Sequence, residues 1–198
     1  MSDIDTVLNG VEDGDAFYDP SQDFDGVLPA GEYLVHVKEM EVKDDIVIKN
    51  KFLADIYIPT FIIAKENESQ EYNVNGETVS GRVFVGRTVP AKGFFRFKRP
   101  DAAKYPQLSD SQGSNKRYME FADAIGIKVE EVDGRFKLPT LDEDYVKGEP
   151  AKVKVVHDKW LGREGDEMVS PKVIDVFKWS DGKKVYDPKD QTKKELSD

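Results

Sequence analysis

Cysteine is absent from the 198 residues, which excludes disulfides and thiol chemistry and fits life in a reducing compartment. Histidine occurs only as His36 and His157, too few for a histidine-rich zinc site. No apolar run approaches the roughly 18 residues of a membrane span. The opening residues, Met1–Asp5, have neither the basic start nor the apolar stretch of a secretory leader. The expectation is a protein of the cytoplasm that does not enter a membrane. Gly-x4-Gly-Lys-Ser/Thr, Gly-x-Ser-x-Gly and His-Glu-x-x-His are all missing. Carboxylates are plentiful (Asp44-Asp45, Glu130-Glu131, Asp142-Glu143-Asp144), but none stands beside a candidate nucleophile. They read as solvated faces, so neither catalysis nor a cofactor is expected.

What the chain does have is charge, unevenly distributed. The formal net charge is -10, yet Arg82–Arg117 holds nine basic residues against Asp101 and Asp110, a local balance of +7. Residues 1–30 carry eight acids and no base, and residues 31–81 and 119–150 are each net -5. Aromatic residues run through the basic window: Phe84, Phe94, Phe95, Phe97, Tyr105 and Tyr118. Cations that track a phosphate backbone, mixed with rings on which bases stack, are the components of a groove for single-stranded nucleic acid.

The chain divides into three parts. Residues 1–26, acidic and rich in Gly and Asp, read as an arm that either lies on the domain or stays poorly ordered. Residues 27–179 read as one domain, and 180–198 as a polar tail. Within the domain, Tyr33, Val35 and Val37 alternate with Leu34, His36 and Lys38, a strand pattern. Asp44-Asp45 suggests a turn, and Phe52–Ile63 a long strand interrupted by Pro59. Lys65–Gly76 reads as a hairpin-like loop, Gly81–Val89 as a strand closed by Pro90, and Gly93–Lys98 as a further short strand. In that short strand the apolar set, Phe95 and Phe97, is expected to point inward, leaving Phe94, Arg96 and Lys98 to face solvent or ligand.

Pro100–Ser114 is a loop, and Ser114 reads as the N-cap of a helix Asn115–Ile125 ended by Gly126. Tyr118, Phe121, Ala122 and Ile125 form one apolar stripe on it. Phe136–Leu138 and Tyr145-Val146 read as short extended pieces, and Ala151–Trp160 and Val169–Trp179 as strands. Trp160 and Trp179 read as core or capping residues, and Lys152 and Lys154 share a strand face. One helix among at least five strands is expected to give a mainly β fold, an OB-fold-like partly open barrel, with a β-sandwich as the rival.

Leu28–Tyr33 opening a strand, Gly81-Arg82 before an apolar-aromatic stretch, Phe121–Ile127 ending the helix and Lys147–Val155 together resemble a family of phage single-stranded DNA-binding proteins, over roughly residues 28–178. The resemblance implies an OB-type fold, non-catalytic single-stranded DNA binding, and work beside phage replication or recombination proteins. One feature departs from many single-strand binders. The tail ends Lys193-Lys194-Glu195-Leu196-Ser197-Asp198, near charge balance and without an aromatic tip, while the acids sit at residues 3–25.

From the basic window, Arg82, Arg87, Lys92, Arg96, Lys98, Arg99, Lys116 and Arg117 are the expected phosphate contacts, and Phe94 and Tyr105 the expected stacking rings. The unopposed acids of the arm are expected to compete with DNA for that groove. Ser21-x-Asp23-x-Asp25-Gly26-x5-Glu32 comes near a calcium-loop spacing, but Ser21 holds the first place, Pro29 the ninth, and strand signals follow. It reads as an acidic turn, and no metal is expected. The alternative from another class is a non-enzymatic phage protein-interaction module whose interface is residues 82–117.

Overall fold

The computed structural model describes residues 26–108, 113–163 and 165–185. The arm up to Asp25, with most of the calcium-like spacing, lies outside the described residues, as does the tail from residue 186.

Strand β1 (Gly31–Ile48) buries Tyr33, Val35 and Val37 as the alternation predicts, and buries His36 as well. It turns back into β2 (Phe52–Ile63) through Lys49 and Asn50, both left-handed, the conformation of a tight hairpin turn. The expected turn at Asp44-Asp45 is instead a break in register within one continuous strand, with Asp45 at φ 55°. The loop after β2 forms a short 3₁₀ turn, Lys65–Asn67, then the hairpin β3 (Glu71–Val74) and β4 (Glu77–Ser80) around Asn75-Gly76.

Gly81–Val89 is not the expected strand. The Ser80 hydroxyl accepts from Arg82 N and starts a 3₁₀ turn, Gly81–Phe84. A Cβ on Gly81 would lie 1.9 Å from the Asn67 carbonyl oxygen, so the chain passes too close for any other residue. Two short strands follow, β5 (Thr88–Pro90) and β6 (Phe94–Lys98).

Helix α1 (Lys116–Ala124) buries Tyr118, Phe121 and Ala122, with Ile125 just beyond its end. Its N-cap is Asn115, not Ser114, although the Ser114 hydroxyl accepts from Lys116 N at 3.4 Å. At its C-terminus Gly126 N donates to Asp123 O and Ile127 N to Ala122 O. This closure needs the left-handed backbone that Gly126 adopts at φ 78°. A small hairpin, β7 (Glu130–Val132) and β8 (Arg135–Lys137), leads to a single-turn helix, α2 (Glu143–Val146). Tyr145-Val146 is thus helical rather than extended, because Asp142 accepts from Asp144 N and nucleates the turn.

The last strands, β9 (Pro150–Leu161) and β10 (Glu167–Phe177), form a long hairpin. The main sheet runs β10-β9-β1-β2-β5, with β6 pairing farther along β2. The fold is mainly β, as expected, and its sheet does not close into a barrel. Among the described residues one parallel bridge, Ala91↔Val173, joins the two ends of that order. Residues after Trp179 do not leave the domain at once. Gly182 packs against Trp179 and Pro150, and Val185 N donates to Gly148 O at 3.1 Å.

Candidate nucleic-acid interface

The register of β6 on β2 decides which side chains reach solvent. Tyr57 faces Phe94, Ile56 faces Phe95, Asp55 faces Arg96, Ala54 faces Phe97 and Leu53 faces Lys98. Tyr57 belongs to the core, so Phe94 follows it inward and is only 4% exposed. Its ring stacks on Phe121 at 4.0 Å between centroids with an interplanar angle of 7°. The expected assignment of faces is therefore reversed: Phe94 is a core residue, and Phe95 and Phe97 lie on the outward face.

Arg96 and Lys98 share the inward side with Phe94, at the end of the sheet where Asp55 waits. Asp55 is 4% exposed, and its carboxylate lies 2.7 Å from Lys98 Nζ and 3.6 Å from Arg96 Nη1. Asp45, turned by its left-handed backbone, accepts from Lys98 at 2.6 Å and from Lys104 at 2.8 Å. Hydrogen bonds from Lys104 and then Lys98 hold the Asp45 carboxyl well below the usual carboxylate range. Burial opposes the charge on Lys98, but its bonds to Asp45 and Asp55 outweigh burial and raise it above the ordinary lysine range. These cations are thus engaged with carboxylates inside the protein, which the sequence window alone did not show.

The remaining expected residues are spread over the surface. Arg82 is exposed on the 3₁₀ turn. Arg87 donates to Gly26 O at 2.9 Å and lies over the Phe84 ring. Lys92 is exposed beside the seam, where its main-chain N–H reaches Val173 O. Arg99 is exposed at the end of β6. Tyr105 is half-buried in the following loop, under Lys104 at 5.1 Å. Lys116 sits 3.7 Å from Glu120, and Arg117 donates to Ile174 O at 2.8 Å across a cleft of about 460 Å³ between α1 and β10. The ten residues do not converge on one groove.

A different set does converge. Phe95, 38% exposed, lies beside Phe97 with centroids 6.0 Å apart and planes 21° from parallel. Phe52 meets Phe97 edge-on at 5.7 Å. Across the strands, Lys43, Ile56 and Phe95 form one row and Ile46, Ala54 and Phe97 the next, all on one face, where Ala54 is covered by its neighbours. Lys51 Nζ lies 5.0 Å above the Phe52 ring. The result is an aromatic platform on the open face of β2 and β6, with Lys43, Lys51 and Arg99 at its margins.

No family model matches the chain, and no curated protein does. The platform must therefore be judged on its own chemistry. Phe52, Lys43 and Lys51 lie outside the basic window, so a search by charge density passes over them. The signal for Phe95 and Phe97 was present in the i, i+2 spacing, but apolarity assigned them inward. No helix among the described residues is long and apolar enough to cross a membrane.

Proposed function

We propose that this protein binds single-stranded DNA without sequence preference, through the platform of Phe52, Phe95 and Phe97, and acts beside phage replication or recombination proteins in the host cytoplasm. The observation that carries the reading is the near-parallel pair Phe95 and Phe97, with Phe95 exposed and Phe97 half-buried beside it, on a sheet that buries most of its other large rings. Every base has a π-face, so rings arranged in this way accept bases in any order. Lys51, Arg99 and Lys43, the last also paired with Glu41 at 3.2 Å, supply charge for the phosphates that run beside them. The role is binding rather than catalysis, and the resemblance to phage single-strand binders favours DNA over RNA.

The test is fluorescence titration with oligo-dT at several salt concentrations. Affinity should fall linearly with the logarithm of salt. Phe95→Ala should weaken binding by about 5- to 150-fold, the equivalent of losing one stacked base at about 1–3 kcal/mol. Binding with no salt dependence, or an unchanged Phe95→Ala affinity, overturns the platform. Failure to bind either single-stranded or duplex DNA points instead to a protein-contact surface built on the same rings.

A further inference from the structure

Arg96 stands between two elements and is held at long range by each. Its Nη1 is 3.6 Å from the Asp55 carboxylate and its Nη2 is 3.5 Å from the Leu138 carbonyl oxygen, both beyond the length of a good hydrogen bond. A guanidinium carries five N–H donors, so most of this one's capacity is unused by the described residues. Arg96 opens into a cavity of about 360 Å³ between the Ile127–Lys128 segment and the Leu138–Thr140 segment, walled by Tyr145. That volume lies within the range of small-ligand sites.

The lining has a consistent chemistry. Lys128 is exposed and has no ion-pair or hydrogen-bond partner among the described residues. Lys137 reaches Glu130 only at 3.8 Å. Three cations therefore line the cavity against Glu130, with Asp55 behind Arg96. Thr140 brings a hydroxyl, and Tyr145 is 60% exposed, with Lys184 Nζ 5.5 Å from its ring centroid. A planar guanidinium with free donors, two ammonium groups and a hydroxyl match a phosphate, and an exposed ring beside them matches a base.

We propose that this cavity binds a terminal phosphate monoester on a nucleotide, with the phosphate against Arg96, Lys128 and Lys137 and the base against Tyr145. A monoester carries nearly two negative charges where an internal phosphodiester carries one, so a three-cation site favours a strand end over a strand middle. The platform reading is needed only for one source of that ligand, the phosphorylated end of a bound strand. The other source is a free nucleoside monophosphate.

The experiment compares oligo-dT bearing 5′-phosphate, 3′-phosphate or hydroxyl ends, and separately titrates dTMP into the full-length protein, following backbone amide shifts by NMR. One phosphorylated end should bind about 10-fold tighter than the hydroxyl-ended oligonucleotide, and the double variant Lys128→Ala/Lys137→Ala should remove that preference. Both lysines are exposed, so this variant tests the pocket without the buried Asp55 partner being disturbed. dTMP should shift the amides of Lys128 and Thr140 and leave that of Phe52 unmoved. If dTMP shifts those amides while end-phosphorylation gives no advantage, the pocket stands as a free-nucleotide site. If neither dTMP nor either phosphorylated end is recognised, or the preference survives the double variant, the proposal is wrong. A hydroxyl-ended oligonucleotide that fails to bind removes the platform reading and leaves the dTMP arm to judge the pocket.

Discussion

Asn115 holds Phe97 by both of its main-chain groups: the amide oxygen accepts from Phe97 N at 2.7 Å, and Nδ2 donates to Phe97 O at 3.1 Å. The side chain that would ordinarily cap α1 thus acts as one more strand residue, satisfying the outer edge of β6. Gly113 completes the arrangement, because a Cβ there would lie 2.6 Å from the Phe97 ring. Helix entry and platform edge are one piece of structure. Replacing Asn115 by Ala should cost about 1–3 kcal/mol, two hydrogen bonds at about 0.5–1.5 kcal/mol each. Urea denaturation measures it, and an unchanged midpoint would show that water takes over both groups.

The reversed faces of β6 predict a clean separation of phenotypes. Phe94→Ala empties a buried stack against Phe121 and should lower stability by about 3–5 kcal/mol. Phe95→Ala should lower it by less than about 1 kcal/mol, while carrying the larger loss of DNA affinity. Denaturant midpoints and oligo-dT affinities measured on the same two variants decide this, and equal stability losses would contradict it.

Asp55 is the carboxylate on which Arg96 and Lys98 converge. Asp55→Ala should cost about 2–3 kcal/mol, less than the 3–5 typical of fully buried pairs, because both cations keep partial access to water. The partner carboxylate Asp45 yields a pH prediction. Its folded pKa is depressed by Lys104 and Lys98, so its contribution is present above the ordinary carboxylate range and is lost only as pH falls through the depressed value. The stability gap between wild type and Asp45→Asn should stay constant from neutral pH down to about pH 5 and close only in strong acid. A gap that closes between pH 7 and 5 would exclude this pairing.

His36 gives the opposite end of the pH range. It is 1% exposed, its Nδ1 donates to Gly148 O at 3.0 Å, and its Nε2 is buried without a partner. Burial lowers its pKa, and this outweighs the Gly148 hydrogen bond and the nearby Glu66 and Glu149, which favour the charged form. A depressed histidine is neutral when folded, so the unfolded chain takes up the proton first. Stability should therefore be full above about pH 6.5 and decline below it, by at most about 1.4 kcal/mol per pH unit. Thermal unfolding of wild type and His36→Gln across pH 5–8 isolates the effect, and parallel profiles would rule it out.

Much of the fold could be read from the chain because the relevant signals are local. Tyr33, Val35 and Val37 declare β1 by alternation, the α1 stripe declares a helix, and Gly126 declares its end. What could not be read depends on register. Phe94-Phe95-Arg96-Phe97-Lys98 alternates equally well either way up, and simple hydrophobicity prefers the wrong orientation. Only the pairing with Tyr57 and Asp55 shows that one ring and two cations belong inside. The same holds for the basic window: Asp45 and Asp55 lie some fifty positions from Lys98 and Lys104, so their neutralising effect is invisible to a local sum of charge. Gly81–Phe84 failed as a strand for a third reason, a close backbone passage against Asn67 that leaves no trace in periodicity.

The position of β1 at the centre of the sheet has a consequence for biosynthesis. Its first residues pair with the last third of the chain, Gly31 with Val155 and Tyr33 with Val153, while its other edge pairs at once with β2. On the ribosome the β1–β2 hairpin can form early, but its Gly31–His36 edge must wait for β9 to be made. Until β9 is made that edge is an unsatisfied template open to other chains. Completion of the domain thus waits on β9, and slow release or high local concentration should favour mispairing at this edge.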